Sequence, residues 1–426
     1  MRQEGALCAQ FSRHRGALLL YRQLIFYTLM MKTVFDRLYV LLAVVAMVFS
    51  LVACGDDDYV TGLGTTIGGA DCDTSATLPT RKQGKVVGAY YYHWSSRLPN
   101  PEMVTHIFYC FAEVYVENGV YKKFALSYDN TQFDKVVALK KINPDLKVLL
   151  SFTNSQENTD HVAEGGFSDL VATDDNRKRF AQDCLDFMRA NNIDGIDLDW
   201  EFPGMTFGSL KFNPVTDVDN FTLLLRTMRE TFGSGFLLTY AAAPYDMRKT
   251  SDGSGWRYND LKASLPYVDW INVMTYDLSS SESGDLGFNS ALNSPNSYWD
   301  CARMLASYKS ASVPFSKMVL GIPFYARHSF DGSNPPTICN YCDLRTLGSG
   351  YNVNNWSDVG SVPYVTLNGK FWGSYDNPKS IAIKGEWIHG LDADGGMRGM
   401  MYWEAGNDDA QYTLSKAVWT AVMKDY

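Results

Sequence analysis

Asp194-Gly195-Ile196-Asp197-Leu198-Asp199-Trp200-Glu201-Phe202-Pro203 alternates acidic and apolar residues. Side chains along a β-strand point to opposite faces in turn, so Asp197, Asp199 and Glu201 share one face. The residues between them share the other face, which is apolar and suited to packing against helices: Ile196, Leu198 and Trp200. The segment therefore predicts a buried strand with three carboxyl groups on its second face.

These three carboxyl groups have a direct chemical consequence. Charges a few ångströms apart cannot all ionise at low cost, so at least one group should hold a proton at neutral pH, as a general acid must. Glu201 is the candidate acid because it lies nearest the carboxyl end of the strand. A solvated surface strand or a calcium site would also carry acids. The apolar alternate residues and the lack of Asn/Asp-rich loop spacing disfavour both.

The rest of the chain repeats a strand-and-helix pattern. We predict strands at 85–91, 105–111, 147–152, 195–201, 236–241, 270–276, 317–324 and 399–403. Helical periodicity predicts helices at 175–192, with Asp174 or Asp175 as cap, at 217–232, ended by Gly233, and at 409–424. Eight alternations indicate the α/β class and a (β/α)8 TIM barrel over residues 85–426, with its chemistry at the carboxyl ends of the strands.

The interval from Tyr325 to Arg398, between the seventh and eighth strands, is too long for one helix. It is rich in Gly, Asn, Ser, Pro and aromatic residues, with short strand-like pieces such as 364–367. We therefore predict a small α+β insertion at about 328–396.

Composition narrows the choice of ligand. Of the 426 residues 46% are hydrophobic, which is enough for a large core, and the formal net charge is −9 with a pI of about 5.2. An acidic chain has no basic field to attract nucleic acid, so a neutral substrate fits better. The aromatic content of 14% suits stacking on sugar rings and suits a large core equally well.

The cysteines do not indicate a metal site. Cys110, Cys184 and Cys301 fall in apolar patterns and are interpreted as small core residues. Cys339 and Cys342 form a single Cys-x-x-Cys without the second pair that zinc needs, so a local disulfide or free thiols are expected there.

The amino-terminal part of the chain indicates export. An apolar run over 38–53 is short for a membrane span and fits the hydrophobic region of a signal peptide at 30–53. Residues 1–29 precede that signal and are interpreted as a mis-annotated leader. We expect translation to start at Met30 or Met31. Residues 54–84 have the composition of a flexible tether.

The end of this signal resembles the lipobox of bacterial lipoproteins. Leu51-Val52-Ala53-Cys54 is followed by Gly55-Asp56-Asp57-Asp58, which is similar to the acidic stretch that surface lipoproteins carry after their lipidated cysteine. The resemblance implies a cell-envelope protein held to the outer membrane by a lipid on Cys54 and exposed at the surface. An ordinary cysteine after a cleaved signal peptide is the alternative.

The acidic strand also resembles a known family. Asp194-x-x-Asp197-x-Asp199-x-Glu201 matches the D-x-x-D-x-D-x-E signature of family 18 glycoside hydrolases, the chitinases and endo-β-N-acetylglucosaminidases. Segments similar to the family's other strands are Tyr90 with Trp94, Ala241-Ala242-Ala243-Pro244, Met274-Thr275-Tyr276-Asp277, Gly321-Ile322-Pro323-Phe324-Tyr325-Ala326-Arg327 and Gly399-Met400-Met401-Tyr402-Trp403. Two departures are Ser151-Phe152-Thr153-Asn154, where the family usually has S-x-G-G, and Ala326 in place of a glycine.

The resemblance implies retaining hydrolysis in which the sugar's own 2-acetamido group is the nucleophile. Glu201 would act as acid and then base, Asp199 would orient the acetamide, Asp197 would share a proton or hydrogen bond with Asp199, and Tyr276 would bind the acetamide oxygen. The substrate-binding residues would be Tyr90, Trp94, Met274, Asp277, Tyr325, Arg327 and Trp403. No cofactor or metal is implied.

Three functions remain open on these grounds. The first is a chitinase-like hydrolase of β-1,4-linked N-acetylglucosamine chains, which the insertion favours because such insertions deepen the cleft in this family. The second is an endo-β-N-acetylglucosaminidase acting on N-glycan cores. The third is a non-catalytic glycan-binding lipoprotein. In each case the expected partner is an N-acetylglucosamine-containing oligo- or polysaccharide, bound by a monomer.

Overall fold

The computed structural model describes residues 77–95, 97–128, 131–154, 166–205, 211–243, 247–248, 256–257, 259–278, 287–294, 299–327, 338–391 and 395–426. All of them belong to the second of two units of the chain, Thr65–Tyr426. The predicted leader, the predicted signal peptide and Cys54 lie outside the described residues, as does most of the predicted tether.

Eight parallel strands close into a barrel, as predicted. They are β1 (Val86–Tyr92), β2 (His106–Glu117), β3 (Lys147–Thr153), β4 (Gly195–Asp199), β5 (Leu237–Ala242), β6 (Trp270–Val273), β7 (Met318–Pro323) and β8 (Gly399–Trp403). Each strand pairs with its neighbours in chain order, and β8 pairs with both β7 and β1. The (β/α)8 class is therefore confirmed, although β4 ends before Glu201 and β2 continues six residues beyond its predicted end.

The outer face of each strand packs on helices. Trp200, just after β4, stacks on Phe167 at 5.3 Å between ring centroids and meets Phe221 edge-on at 5.7 Å. A second, smaller apolar cluster contains the alternate residues of the same strands and lies inside the barrel, with Tyr276 and Trp403 partly buried against it. The predicted alternation of faces along β4 is thus what the structure has.

The helices are Thr131–Ala138, Gly166–Ala172, Asp174–Asn191, Asp217–Phe232, Leu261–Ser264, Cys301–Ser310, Pro378–His389 and Thr413–Met423. Short 3-10 helices occur at Leu139–Lys141, Phe315–Lys317, Tyr341–Thr346 and Ala405–Asn407. The described residues between β1 and β2 form turns and bends, so this first connection departs from strict strand-and-helix alternation.

One helix is capped by a different residue from the predicted one, and another ends where predicted. The helix Asp174–Asn191 is capped by the Thr173 side chain, which accepts from the backbone N–H of Asn176, and not by Asp174 or Asp175. Gly233 ends the helix Asp217–Phe232 as expected, with φ at 62°.

A five-stranded antiparallel sheet, here called the insertion sheet, follows β7. Its strands are, in spatial order, Ile338–Asn340, Tyr325–Arg327, Lys370–Ser374, Val362–Leu367 and Tyr351–Ser357. The helix Pro378–His389 then returns the chain to β8 and packs against Thr413–Met423. The helix therefore belongs to the outer layer of the barrel, and the sheet itself ends at Ser374.

The last described residues of the predicted tether lie against the barrel. Leu78 packs on the main hydrophobic core, the Trp419 indole N–H donates to the Pro79 carbonyl (2.9 Å), and Lys82 pairs with Asp425 (2.8 Å). Within the described part of the chain, no helix is long and apolar enough to cross a membrane.

Candidate active site

Asp197 lies at the centre of a hydrogen-bond network inside the barrel. Its side chain is fully buried on β4, where it faces Ser151 of β3 and Thr239 of β5 in the strand register. One oxygen accepts from the hydroxyls of Ser151 (2.8 Å) and Tyr90 (3.0 Å), and the other from Thr239 (2.6 Å) and the Asn272 amide (3.2 Å). Burial raises the Asp197 pKa, and these four donors oppose that rise.

Tyr90 is part of this network. Its ring is buried and stacks on Phe108 at 4.6 Å, and its hydroxyl donates to Asp197 while accepting from the Asn272 amide (3.0 Å). Burial, together with the negative charges of Asp197 and Asp199, raises its pKa well above the ordinary value, so the hydroxyl remains a donor. The structure places Tyr90 at the floor of the site, where its hydroxyl contacts Asp197.

Asp199 and Tyr276 lie above this floor. Asp199 ends β4 opposite Thr153 of β3 and is 8% exposed. Tyr276 follows β6 and is half-buried. Burial raises the Tyr276 pKa well above its ordinary value, and so do the charges of Asp199, Glu201 and Asp277. These four residues therefore form one cluster, in which Tyr276 remains a hydrogen-bond donor.

Glu201 lies two residues beyond β4. Its backbone is clamped by the Asn154 amide, which accepts from the Glu201 N–H (3.2 Å) and donates to its carbonyl (3.3 Å). Burial raises the Glu201 pKa to about 7, with a further contribution from the charge of Asp277. A pKa near neutral pH suits a group that must donate a proton in one step and accept a proton in the next.

Asp277 lies where β6 and the insertion sheet meet. Its carboxylate accepts from the Tyr325 hydroxyl (2.7 Å) and pairs with the Arg327 guanidinium (2.6 Å). Both partners are buried and lie on the strand Tyr325–Arg327 of the insertion sheet. About a third of the Asp277 side chain is exposed. The insertion thus supplies two of the residues that surround the acid.

Aromatic rings form the rest of the rim. Trp403 ends β8 and stacks on Phe111 at 5.8 Å, with Tyr90 at the same distance beneath it. A row of rings then leads outward from Trp403: Tyr92 at 6.2 Å, then His93, then Trp94. Trp94 is 65% exposed and packs on Tyr128, so it belongs to the outer surface of this row.

Met274 belongs to the apolar cluster inside the barrel, against which Tyr276 and Trp403 also pack. Among the predicted substrate-binding residues, Trp94 is connected to Trp403 through the rings of His93 and Tyr92. Cys54, the predicted lipid anchor, lies outside the described residues.

Several residues in the site were not foreseen. Thr239 and Asn272 donate to Asp197, and each is a polar residue at an inward position of an otherwise apolar strand, which is a signal that the sequence contains. Glu404, after β8, is buried and accepts from the Ser95 hydroxyl (2.6 Å), joining the loops that follow β8 and β1. No local pattern marks this last contact.

A separate cavity of about 280 Å³ lies at the amino ends of the strands, at the opposite end of the barrel. Asp194, the first acid of the motif, is there and pairs with Lys140 (2.7 Å) and Lys147 (3.3 Å). The motif therefore contributes to both ends of β4, and its first acid is structural. Among the described residues, no group of three or more His, Cys, Asp or Glu side chains is placed to bind a metal ion.

Comparison with known proteins agrees with this geometry. The chain is 31% identical to chitinase A1 of Niallia circulans over 63% of its own length, although it spans only 42% of that relative. It is 25% identical to a class V chitinase of Lotus japonicus, with 78% of this chain and 85% of the relative aligned.

Solved structures share the fold. A cell-surface chitinase of a Paenibacillus species matches 79% of this chain and 42% of its own at a TM-score of 0.65 and 27% identity. An N-acetylglucosaminidase of Paenibacillus barengoltzii matches 79% of this chain and 99% of its own, at a TM-score of 0.62 and 25% identity. The family model for glycosyl hydrolases family 18 matches residues 86–408, which include every barrel strand, so the chain belongs to glycosyl hydrolase family 18.

Proposed function

We propose that the protein hydrolyses the β-1,4 linkages of N-acetylglucosamine-containing glycans, chitin or chitooligosaccharides, by a retaining mechanism in which the substrate supplies the nucleophile. The observation that carries this proposal is the placement of Glu201 just beyond the carboxyl end of β4, in one cluster with Asp199, Tyr276 and Asp277. Burial and the charge of Asp277 raise its pKa to about 7. Membership of family 18 and the chitinase relatives support the choice of substrate.

In the first step Glu201 gives its proton to the glycosidic oxygen while the C1–O bond breaks. The acetamido oxygen of the same sugar attacks C1, which forms an oxazolinium ion and retains the charge within the substrate. In the second step the Glu201 carboxylate takes a proton from water, the water oxygen bonds to C1, and the oxazolinium ring opens. Glu201 ends protonated, ready for another cycle.

Neighbouring residues orient the acetamide. Asp199 would accept its N–H and stabilise the positive charge of the oxazolinium ion, and Tyr276 would donate to its oxygen until that oxygen attacks. Asp197, held by its four donors, would fix the position of Asp199 through a shared proton or hydrogen bond. Trp403, with Tyr90 beneath it, would form the apolar floor under the sugar at the cleavage point.

Product analysis by mass spectrometry tests this proposal. The purified protein and a Glu201→Gln variant are incubated with N-acetylchitooligosaccharides and, separately, with a high-mannose glycoprotein. We expect cleavage of the oligosaccharides by the wild type and a loss of at least about a hundredfold in the variant, since it keeps the shape of the acid without its proton.

The products distinguish the other functions. Cleavage of the glycoprotein alone would make the protein an endo-β-N-acetylglucosaminidase, and release of single sugars from the chain end would make it an N-acetylglucosaminidase. An unchanged glycan in both incubations, with retained binding, would leave a glycan-binding protein.

We also propose that residues 30–53 are a signal peptide, that Cys54 carries a lipid anchor, and that residues following it form a tether to a monomeric catalytic unit at the cell surface. The lipobox-like sequence supports this arrangement. In a bacterial host, wild-type protein should partition into detergent and be degraded by protease added to intact cells, and a Cys54→Ser variant should partition into water. Protection of the wild type from protease would contradict surface exposure, and light scattering of the soluble variant would test the monomer.

A further inference from the structure

A buried asparagine outside the segments quoted above connects the strand ends that surround the acid. Asn289 is completely buried in the described segment 287–294, which runs between β6 and the insertion sheet. Its side-chain oxygen accepts from the backbone N–H of Asp277 (2.8 Å), and its amide donates to the Tyr325 carbonyl (3.1 Å).

The backbone of Asn289 is used as fully as its side chain. Its N–H donates to the Ser374 hydroxyl (2.6 Å) at the end of the insertion sheet, and its carbonyl accepts from the N–H of Leu278 (3.0 Å). One residue therefore connects three segments: the end of β6 and the strands Tyr325–Arg327 and Lys370–Ser374 of the insertion sheet.

The bond to Asp277 acts at a demanding point of the backbone. Asp277 has φ at 57°, in the left-handed region that residues other than glycine adopt only when the surroundings hold them there. Its carboxylate must at the same time meet the Tyr325 hydroxyl and the Arg327 guanidinium. Asn289 fixes both sides of this contact, because it binds Asp277 at the N–H and Tyr325 at the carbonyl.

We propose that Asn289 is a positioning residue for the acid: it holds Asp277 beside Glu201 and couples that placement to the insertion sheet through Tyr325 and Ser374. The inference rests on the proposed function for its catalytic consequence. It goes beyond that function by assigning the insertion a part in setting the proton affinity of Glu201, in addition to shaping a cleft.

The direction of the effect follows from the groups around the acid. Tyr276 interacts with Glu201 and Asp277, and also with Asp199. Tyr325 and Arg327 interact with Asp277. The charge of Asp277 and burial both raise the Glu201 pKa. If Asp277 moves away and water enters, both causes weaken, so the Glu201 pKa falls.

The experiment compares Asn289→Ala with Ser374→Ala and with a matched control, Asn352→Ala. Asn352 is an exposed asparagine on the outermost strand of the same insertion sheet. The first readout is the carbon-13 NMR titration of the Glu201 carboxyl in protein labelled at glutamate, assigned by the signal lost in Glu201→Gln. The second is the pH profile of kcat on N-acetylchitooligosaccharides.

We expect Asn289→Ala to lower the Glu201 titration midpoint by at least about 0.5 pH unit, the scale of a charge interaction lengthened by a few ångströms. The alkaline limb of kcat, which reports the enzyme–substrate complex, should move in the same direction. The value of kcat should fall roughly tenfold with a smaller change in KM. Ser374→Ala should shift the Glu201 midpoint and the alkaline limb in the same direction by a smaller amount. Asn352→Ala should shift neither the midpoint nor the limb.

A folded Asn289→Ala protein with an unchanged Glu201 midpoint would overturn the proposal, as would an equal shift in the Asn352→Ala control. If Asn289→Ala does not fold, Ser374→Ala decides in the same way, since it removes only the contact to the sheet. If the wild type cleaves no amino-sugar substrate, the proposed function fails, but the NMR titration still tests whether Asn289 sets the environment of Glu201.

Discussion

Asp197 lies within β4 and Glu201 lies two residues beyond the end of that strand, and their surroundings give them different properties. Four hydrogen-bond donors surround Asp197 inside the barrel and oppose the rise in pKa that burial causes. Glu201 lies at the rim, where burial and the charge of Asp277 both raise its pKa. The carboxyl group of Asp197 is thus suited to a structural role at the floor of the site, and that of Glu201 to proton transfer at the mouth of the barrel.

The raised pKa of Glu201 predicts a pH-dependent stability. The folded-state pKa is about 7, against 4.5 as the ordinary value for the unfolded chain, so the folded protein holds this proton more tightly. The resulting stability is fully present below about pH 4.5 and is lost as the pH rises through about 7, by up to about 3 kcal/mol. Glutamine at this position has no proton to lose.

Thermal melts of the wild type and Glu201→Gln between pH 4 and 8 measure this effect. The stability of the variant relative to the wild type should increase with pH over that range. A constant difference in Tm would show that Glu201 does not titrate with the raised pKa.

The partners of these acids show what could be predicted for single residues. Alternation along 195–201 was enough to place Asp197, Asp199 and Glu201 on one face. It could not tell that Asn154, a departure from the family pattern, clamps the Glu201 backbone. Asn289 lies in a polar stretch that reads as an ordinary loop, and its contacts depend on three elements distant in sequence.

At the scale of the strand, β4 depends on a glycine. A Cβ atom at Gly195 would lie 2.5 Å from the Leu237 carbonyl oxygen and 2.7 Å from the Leu237 Cβ, so β4 and β5 could not keep their separation. Gly235, two residues before β5, offers a matched control, because a Cβ there meets no atom within 4 Å.

We therefore expect Gly195→Ala to lower the free energy of unfolding by about 1–3 kcal/mol or more. Gly235→Ala should change it by no more than about 0.5 kcal/mol. Urea denaturation followed by tryptophan fluorescence compares the two. Equal effects would mean that the barrel absorbs the added methyl group without moving its strands.

Element boundaries were less predictable than the strands themselves. The last helix was expected from residue 409 but begins at Thr413, because the Asp408 carboxylate accepts the N–H groups of Leu414 and Ser415 and so marks the start of the helix. In the insertion sheet, the first strand in sequence lies second in space. Such an order depends on pairing between distant segments, which the pattern of one segment does not contain.

At the scale of the molecule, a buried ion pair lies where the chain leaves the insertion sheet and enters the outer helix layer of the barrel. Asp376 follows the insertion sheet, Lys384 lies in the helix Pro378–His389, and their charged atoms are 2.8 Å apart with neither side chain exposed. Lys384 also donates to the Ser290 hydroxyl (2.9 Å), in the segment that contains Asn289.

Removing one partner would leave a buried charge without compensation. Lys384→Met should therefore reduce the free energy of unfolding by about 3–5 kcal/mol, and adding Asp376→Asn should restore part of it. Chemical denaturation of both single variants and the double variant gives the coupling energy. A double variant no more stable than Lys384→Met would show that Asp376 and Lys384 do not stabilise the fold as a pair.

The seam between β1 and β8 has a consequence for how the protein is made. Residues 86–89 pair with residues 399–402, and Ser95 meets Glu404 across the same seam, so contacts that complete the barrel join segments more than 300 residues apart. A ribosome makes these partners in order, and until β8 emerges every nascent chain has an open sheet with two unpaired edges. The site at the mouth can assemble only after β8 has emerged.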